Sequence, residues 1–384
     1  MWFSLLSKKA KGSAKFTALF DIGTGSVTAS VISLPGESDK ACPTIVWHQS
    51  AKLDFSTRPD RRQLLLKILA AAQEVAGALQ REWPALIEEA HIVLSSPFYR
   101  GLTKTVEFDH DEPFIFNQEL LDKIRDDEMM KYLNMTKKPF DDIPQDQAIM
   151  LEYRLLAIKA DGNEVTEPTN QKIRSLELTE YLSTGSEAIS RRLREIIIGA
   201  GHFKRLNFHS YLLTLSAVLS ALYKDGDFLV VDAGGERTDV GLVKNGLLVN
   251  QYIFSLSPKH LARLSEQKSL TVSAEAKTLA NLDPKHKLWE QGKTDWLDNF
   301  KQALTKFGPT ESWPQNIFVG AEAHYNSILV NWLKELNFKP VVISSEWLAN
   351  WCELAPGLKG VGEHWILAEA MFLSQVASET TVVI

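Results

Sequence analysis

The sequence is poor in cysteine. Its 384 residues include two, Cys42 and Cys352, and neither has a second Cys or a His beside it at the spacing of metal ligands. Such residues offer no zinc site, suit a reducing compartment and are typical of thiols that pack inside a fold.

Excess positive charge is missing as well. The chain has 42 Lys and Arg residues against 48 Asp and Glu residues, which gives a formal net charge of -6 and a pI near 5.9. Proteins that bind the phosphate backbone of nucleic acids concentrate basic residues on one surface. We therefore expect no nucleic-acid partner.

A long apolar run is the third absence. The longest one, residues 211–223, falls short of the ~20 residues that cross a bilayer, and no secretory signal with a small-residue cleavage site is visible. Residues 1–15 nevertheless combine bulky apolar side chains with lysines: Trp2, Phe3, Leu5, Leu6, Lys8, Lys9, Lys11 and Lys15. That composition is typical of a short interfacial membrane anchor. A frayed tail is the alternative interpretation, and the sequence leaves both open.

What the sequence does contain is one unit that occurs twice. Residues 16–32 consist of two apolar runs around the turn Asp-Ile-Gly-Thr-Gly-Ser at 21–26, and residues 227–243 consist of two more around Asp-Ala-Gly-Gly-Glu-Arg at 232–237. Apolar runs that flank a glycine turn predict a β-hairpin. A plain β-turn would explain one such unit, but two of them favour a duplicated site.

These turns have the residue types that bind a phosphate group and a metal. Glycine at a hairpin tip lets backbone N–H groups approach a phosphate closely. An Asp at the end of the preceding strand can hold Mg²⁺ through water, because magnesium keeps most of its hydration shell. The candidate phosphate-binding residues are Gly23, Thr24, Gly25, Ser26, Gly234 and Gly235, and the candidate metal-binding residues are Asp21 and Asp232.

The remaining segments predict the elements around these hairpins. Residues 61–82 have the apolar spacing of an amphipathic helix that ends before Pro84, and residues 317–319 form a short apolar strand before Gly320 and Ala321. Residues 96–201 combine a charged helix, strands and a final helix from Ser186, which favours an inserted subdomain. A last helix is predicted from Trp365 to about Val376.

The three glycine motifs resemble those of the bacterial actin-like proteins, in the branch that contains the division protein FtsA and the type IV pilus protein PilM. The resemblance runs from Phe16 to about Leu373. It implies an α/β chain with the actin-like two-domain ATPase fold, built from duplicated ribonuclease-H-like halves, with an inserted FtsA-type interaction subdomain. The implied divisions are an N-terminal amphipathic segment (1–15), a first half (16–95 and 202–225), the inserted subdomain (96–201), and a second half (226–384) with a short helical subdomain at about 257–307.

The resemblance also implies the ligands, ATP and Mg²⁺. The two hairpin tips would clamp the β- and γ-phosphates, Gly320 and Ala321 would border the adenosine, and Glu275 and Lys277 would reach the ribose. In the family the lysine follows the glutamate by three residues, and here it follows by two. Further departures are Glu236 and Arg237 in the second turn and Ser-Pro-Lys at 257–259. They lower the expectation of hydrolysis more than that of binding, so we expect weak ATPase activity or none.

By the same resemblance, the protein is an ATP-binding assembly protein of the cytoplasm, peripheral to the inner face of the cell membrane. Nucleotide would control polymerisation or partner recruitment in cell division or type IV pilus assembly. The inserted subdomain would bind neighbouring copies or a cytoplasmic peptide of a membrane protein, with peripheral membrane contact through residues 1–15. The alternatives are a degenerate adaptor that does not hydrolyse nucleotide and, from another class, a small-molecule kinase of the superfamily.

Overall fold

In the described part of the chain, groups of one to three strands are separated by helices. The computed structural model describes residues 15–35, 42–53, 60–136, 146–201, 203–265, 287–358, 361 and 363–376. The strands in this part of the chain are β1 Lys15–Ile22, β2 Ser26–Leu34, β3 Thr44–Lys52, β4 Glu89–Leu94, β5 Tyr99–Phe116, β6 Ala148–Ala160, β7 Asn163–Val165, β8 Gln171–Ser186, β9 Arg205–Ser210, β10 Phe228–Ala233, β11 Thr238–Lys244, β12 Leu247–Phe254, β13 Asn316–Ala321, β14 Lys339–Val342 and β15 Glu353–Leu354. The helices are α1 Arg61–Glu82, α2 Gln118–Met135, α3 Glu187–Ala200, α4 Tyr211–Leu222, α5 Pro258–Ser265, α6 Lys287–Phe307, α7 Ala323–Glu335, α8 Ser345–Leu348 and α9 His364–Val376.

Two of the sheets repeat one topology. The first has the order β15-β3-β2-β1-β4-β9 and the second β12-β11-β10-β13-β14. In each, three consecutive antiparallel strands form a meander, and its first strand also pairs in parallel with a strand that follows a long connection. Both hairpins predicted from the glycine turns therefore lie at the centre of a sheet, which buries their strands on both faces.

The core is continuous between the two sheets. Alternate residues of β10 point to opposite faces, so Phe228 and Val230 join the core of the first sheet, while Leu229 and Val231 join a second core against α6 and α7. Helix α4 is apolar over most of its surface and contacts β9 of the first sheet and β11 and β12 of the second. It therefore packs between the two halves.

A third sheet lies between β4 and α3 in the sequence. Its order is β5-β8-β6-β7, all pairs are antiparallel, and α2 packs on it through Leu121 and Ile124. These residues form a small core of their own with Phe116, Leu176 and Leu178.

Helix α3 corrects one predicted boundary. The sequence prediction placed it in the inserted subdomain at 96–201, but its apolar face, with Ile189, Leu193 and Ile197, lies in the core of the first sheet and packs against α1. The apolar face of this amphipathic helix needs a core to pack against. The sheet of the inserted unit already packs against α2, so α3 packs on the first half instead. The structure therefore assigns α3 to the first half.

The last described residues correct a second predicted domain boundary. Residues 226–384 were predicted to form the second half, but β15 pairs with β3 of the first sheet, and α9 packs against α4 in the first core. Helix α9 is buried on nearly all sides because it is apolar around most of its circumference. The same return places Cys352 next to β3, where the Glu353 N–H donates to the Pro43 carbonyl over 2.9 Å.

Some sequence predictions lie outside the described residues. These are the amphipathic segment up to residue 14 and, within the helical subdomain at 257–307, residues 266–286 with Glu275 and Lys277. In the part of the chain that the structure describes, no helix is both long enough and apolar enough to span a membrane.

Candidate functional site

The two glycine turns meet at their tips. In the first, the Gly23 N–H donates to the Ser26 carbonyl over 3.0 Å and closes the turn. The Glu236 N–H of the second turn donates to Thr24 Oγ1 of the first over 3.1 Å. A Cβ added to Gly235 would lie 2.8 Å from the Gly25 nitrogen, so only glycine allows this approach.

The hairpin registers place the two aspartates equivalently. Asp21 is the residue before the last in β1, and Asp232 is the residue before the last in β10. Both side chains are buried at the carboxyl ends of the central strands, where the two sheets face each other. The sequence prediction that these acids occupy equivalent positions is therefore borne out by their strand positions, while their role in binding metal stays a prediction.

A cavity of about 70 Å³ lies between the turns. It brings together nine of the predicted site residues: Asp21, Gly23, Thr24, Gly25, Ser26, Asp232, Gly234, Gly235 and Ala321. The other lining residues, which the sequence motifs did not single out as site residues, are Ser95, Ser96, Tyr211, Ala233, Arg237, Asp239, Glu322 and Trp365.

Gly320 is not among the described residues that line this cavity, so its contact with adenosine stays a prediction. A Cβ at Gly320 would lie 2.9 Å from His364 Nε2 and 3.3 Å from Asp232 Oδ1. The missing side chain thus makes room for a histidine of α9, and burial lowers the pKa of His364 to about 4, which keeps the ring neutral at pH 7. Ala321 is the residue of this turn that borders the cavity.

Four carboxyl groups cluster at the cavity. Burial raises the pKa of Asp21 to about 7 and that of Asp239 to about 6, although Ser96 Oγ donates a 2.5 Å hydrogen bond to Asp239. The pKa of Asp232 is raised well above its usual value by burial and then by the charges of Asp239 and Asp21. Carboxylates that repel each other in a buried site favour a bound cation.

Glu369 is the fourth member of this cluster, and like Asp239 it was not predicted as a site residue. It is fully buried on α9, and burial together with the neighbouring Asp21 raises the pKa of Glu369 well above its usual value. The available signal was a single acid in an otherwise apolar helix, since a buried charge needs a partner or a proton.

These residues fit a hydrated Mg²⁺ and a phosphate group. Within the described ranges, no group of three or more His, Cys, Asp or Glu side chains is placed to enclose a metal directly. Magnesium does not need such an enclosure, because it keeps several waters and binds one or two carboxylates, and Asp21 and Asp232 would be those carboxylates. The tips offer backbone N–H groups and the hydroxyl of Ser26 beside them.

The described residues that depart from the pattern of the actin-like proteins, Glu236, Arg237 and 257–259, belong to the second turn and to the start of α5. Ser257 Oγ donates to the Gly235 carbonyl over 2.8 Å and accepts from the His260 N–H over 3.1 Å, so it both holds the turn and caps α5. His260 Nδ1 lies 3.8 Å from Glu236 Oε2, and Lys259 Nζ lies 3.1 Å from Glu322 Oε1. The start of α5 therefore fixes the turn from one side.

A scan against protein-family models found no match, and neither did a search of the curated proteins. Among solved structures, the chain is similar to a protein of the PilM-PilN type IV pilus biogenesis complex, with 14% identity, a TM-score of 0.59 and coverage of 94% of this chain and 98% of that one. A Bacteroides thetaiotaomicron protein with an actin-like ATPase fold and unknown function has 10% identity, a TM-score of 0.43 and coverage of 92% and 96%. The ethanolamine utilization protein EutJ from Carboxydothermus hydrogenoformans also has 10% identity and a TM-score of 0.43, with coverage of 94% and 92%.

The first likeness spans nearly the whole of both chains, and at its level of identity it shows the fold. It agrees with the two sheets of repeated topology and with the turns that face each other between them. The chain therefore has the α/β, actin-like two-domain ATPase fold that the resemblance of its glycine motifs implied.

Proposed function

We propose that this chain is an ATP-binding assembly protein that uses the cleft between its halves to control the engagement of a partner in type IV pilus assembly. The observation that carries the proposal is the meeting of two Asp-Gly hairpins around one cavity. The full-length likeness in fold to a protein of a pilus biogenesis complex supports the choice of process.

Each turn would contribute in the same way. Backbone N–H groups of Thr24 to Ser26 and of Gly234 and Gly235 would bind phosphate oxygens, and Arg237 would add a positive charge at the cavity. Asp21 and Asp232 would hold the hydrated Mg²⁺ that neutralises the phosphates. Ala321 would border the nucleoside.

Nucleotide binding would require the tips to separate. Cavities that hold small molecules measure roughly 300–1,000 Å³, whereas this one measures about 70 Å³. The Glu236 to Thr24 hydrogen bond would therefore break as the halves open, and nucleotide would replace a contact between the halves with a bridge through its phosphates.

The inserted unit is placed to respond to this motion because it touches both halves. Glu152 of β6 accepts from the Ser210 N–H of the first half over 3.0 Å. Thr103 of β5 donates to the Leu248 carbonyl of the second half over 2.6 Å. A change in the angle between the halves would strain one of these contacts. A partner bound to the unit would therefore have different affinities for the open and the closed cleft.

The partner we propose is a cytoplasmic peptide of a membrane protein or a second copy of this chain, bound through the inserted unit. The peptide would place the protein at the cytoplasmic face of the inner membrane, and residues 1–15 would add a peripheral contact. A role in cell division is the alternative use of the same fold.

A second candidate is an adaptor that binds nucleotide weakly or not at all. The contact between the tips, in which the Glu236 N–H donates to Thr24 Oγ1, favours it because this contact stabilises the closed cleft without a ligand. ATPase activity would be weak in either case.

Calorimetric titration with Mg·ATP, and separately with a non-hydrolysable ATP analogue, tests the proposal. The comparison is between the native chain and a variant with Asp21→Asn and Asp232→Asn, and Asp298→Asn at the exposed surface is the matched control. Micromolar binding that is lost in the double variant and kept in the control would support the proposal. A folded native chain that binds neither compound would leave the adaptor.

A further inference from the structure

A buried lysine lies at the tip of the first turn, although the sequence motifs assign it no role. Lys259 stands at the start of α5 with 5% of its side chain exposed, and its Nζ lies 3.1 Å from Glu322 Oε1. A Cβ on Gly25 would lie 3.7 Å from both of these atoms. The ion pair therefore packs directly on the tip of the first phosphate-binding turn.

The charges around the cavity show a need for such a cation. Of the described lining residues, Asp21, Asp232, Asp239 and Glu322 are acidic, and Arg237 is the basic one. A di- or triphosphate adds further negative charge, which a buried site accepts only when cations or N–H donors neutralise it. Lys259 would supply one more positive charge at this place.

The position of Glu322 decides whether that charge is accessible. Glu322 lines the cavity, Lys259 is not among the described lining residues, and the Lys259 ammonium donates to the Glu322 carboxylate. With 29% of its side chain exposed, Glu322 has a route to solvent that Lys259 lacks. The carboxylate can leave, whereas the ammonium stays at Gly25.

We propose that Lys259 is a phosphate-binding residue of this cleft. Without a ligand its ammonium group pairs with the Glu322 carboxylate, and a phosphate group of a nucleoside di- or triphosphate replaces that carboxylate. The inference rests on the proposed nucleotide-binding function and names the partner exchange that accompanies it. Carboxylate and phosphate are both anions with oxygen acceptors, and the flexible lysine side chain can serve either with a small movement of its end.

An exchange of partners and a purely structural ion pair predict different effects of substitution on phosphate affinity. If Glu322 competes with phosphate, removing its charge strengthens phosphate binding, while removing the charge of Lys259 weakens it. If the pair only holds α5 against α7, either substitution disturbs the same contact and changes affinity in the same direction.

The test is calorimetric binding of Mg·ATP and of magnesium tripolyphosphate, which lacks base and ribose, to the full chain. Lys259→Gln should weaken binding by about tenfold or more, the effect of losing a hydrogen bond to a charged group. Glu322→Gln should tighten it several-fold, and Lys259→Arg should retain most of the affinity because it keeps the charge. The matched controls are Lys293→Gln and Glu335→Gln, which remove a surface ion pair of 2.7 Å between α6 and α7, and thermal unfolding confirms that each variant is folded.

The outcomes separate this inference from the proposed function. Weaker binding in Lys259→Gln with tighter binding in Glu322→Gln supports the exchange, and equal affinities for ATP and tripolyphosphate would identify phosphate alone as the ligand. Weaker phosphate binding in both variants, or unchanged binding in both, overturns the exchange even when the native chain binds ATP. If the native chain binds no phosphate compound but Glu322→Gln does, the exchange stands and the proposed function of the native chain fails. If neither binds, both ideas are wrong.

Discussion

Replacing Gly235 with alanine tests the contact between the two turns. The added Cβ would lie 2.8 Å from the Gly25 nitrogen and 2.8 Å from the Thr24 carbonyl carbon, whereas ordinary contacts begin at 3.4 Å. Both neighbours are backbone atoms, so no side-chain rotation relieves the overlap, and the turns must move apart by roughly 0.6 Å. Such overpacking costs about 1–3 kcal/mol.

That cost falls on the closed cleft in particular. A penalty of about 1–3 kcal/mol corresponds to roughly 5–150-fold in the equilibrium between closed and open forms. The Glu236 N–H, which donates to Thr24 Oγ1 across the tips, should then exchange with solvent faster by a similar factor. Amide hydrogen exchange followed by mass spectrometry measures this at the second turn, and thermal unfolding measures the loss of global stability.

Gly199→Ala is the matched control. A Cβ at Gly199 would have no described atom within 4 Å, and the residue lies inside α3, where alanine is favoured over glycine by roughly 0.5–1 kcal/mol. We expect Gly199→Ala to be neutral or stabilising and to leave exchange at Glu236 unchanged. If Gly235→Ala behaves in the same way, the tips do not touch in solution and the reasoning about the closed cleft is wrong.

Three further substitutions test other parts of the structure. Burial raises the pKa of Glu152, but the hydrogen bond with His209 and the charge of Arg154 outweigh burial and hold the pKa at about 2. The ionised Glu152 therefore stabilises the fold above pH 4.5, and this stabilisation is lost as the pH falls toward 2. Urea unfolding at a series of pH values should show a loss of about 3 kcal/mol over this range that is absent in Glu152→Gln. Leu193→Ala in α3 should destabilise by about 2–5 kcal/mol in the same assay, and the half-exposed Ile198→Ala by much less; equal effects would contradict the packing of α3 in the first core. Ser257→Ala should cost about 1 kcal/mol in thermal unfolding, because α5 loses its cap and the second turn loses a hydrogen bond; an unchanged midpoint would show that the turn is held by other contacts.

The features that the sequence predicts well are local. A glycine turn between apolar runs specifies a hairpin within about 15 residues, and Asp21 and Asp232 take their positions from the strands that carry them. Recurrence of the unit predicts the duplicated sheets, because a similar local pattern favours a similar local structure. The nine predicted residues that line the cavity all belong to these hairpins or to the strand beside Asp232.

What the sequence does not predict depends on contacts between distant residues. Helix α9 could pack on either half, and its return to the first core is decided by the pairing of β15 with β3 and by the surface that α4 offers. Lys259 and Glu322 are 63 residues apart, and nothing in the spacing of either indicates the other. Gly320 shows the same limit, since the side chain that fills its space comes from His364 of another element.

The contacts of the inserted unit connect the cleft to the surface where a partner is proposed to bind. Glu152 holds the unit to the first half through His209 and Ser210, and His209 in turn stacks on His91 of β4, whose carboxyl end leads to Ser95 and Ser96 at the cavity. The second half reaches the same unit through Leu248 of β12, the strand that leads to Ser257 and α5. The proposed opening of the cleft would move these two attachments relative to each other, so the unit would have different strain in the open and closed forms. Linkage then requires that a partner which favours one form changes nucleotide affinity by the same factor by which nucleotide changes partner affinity.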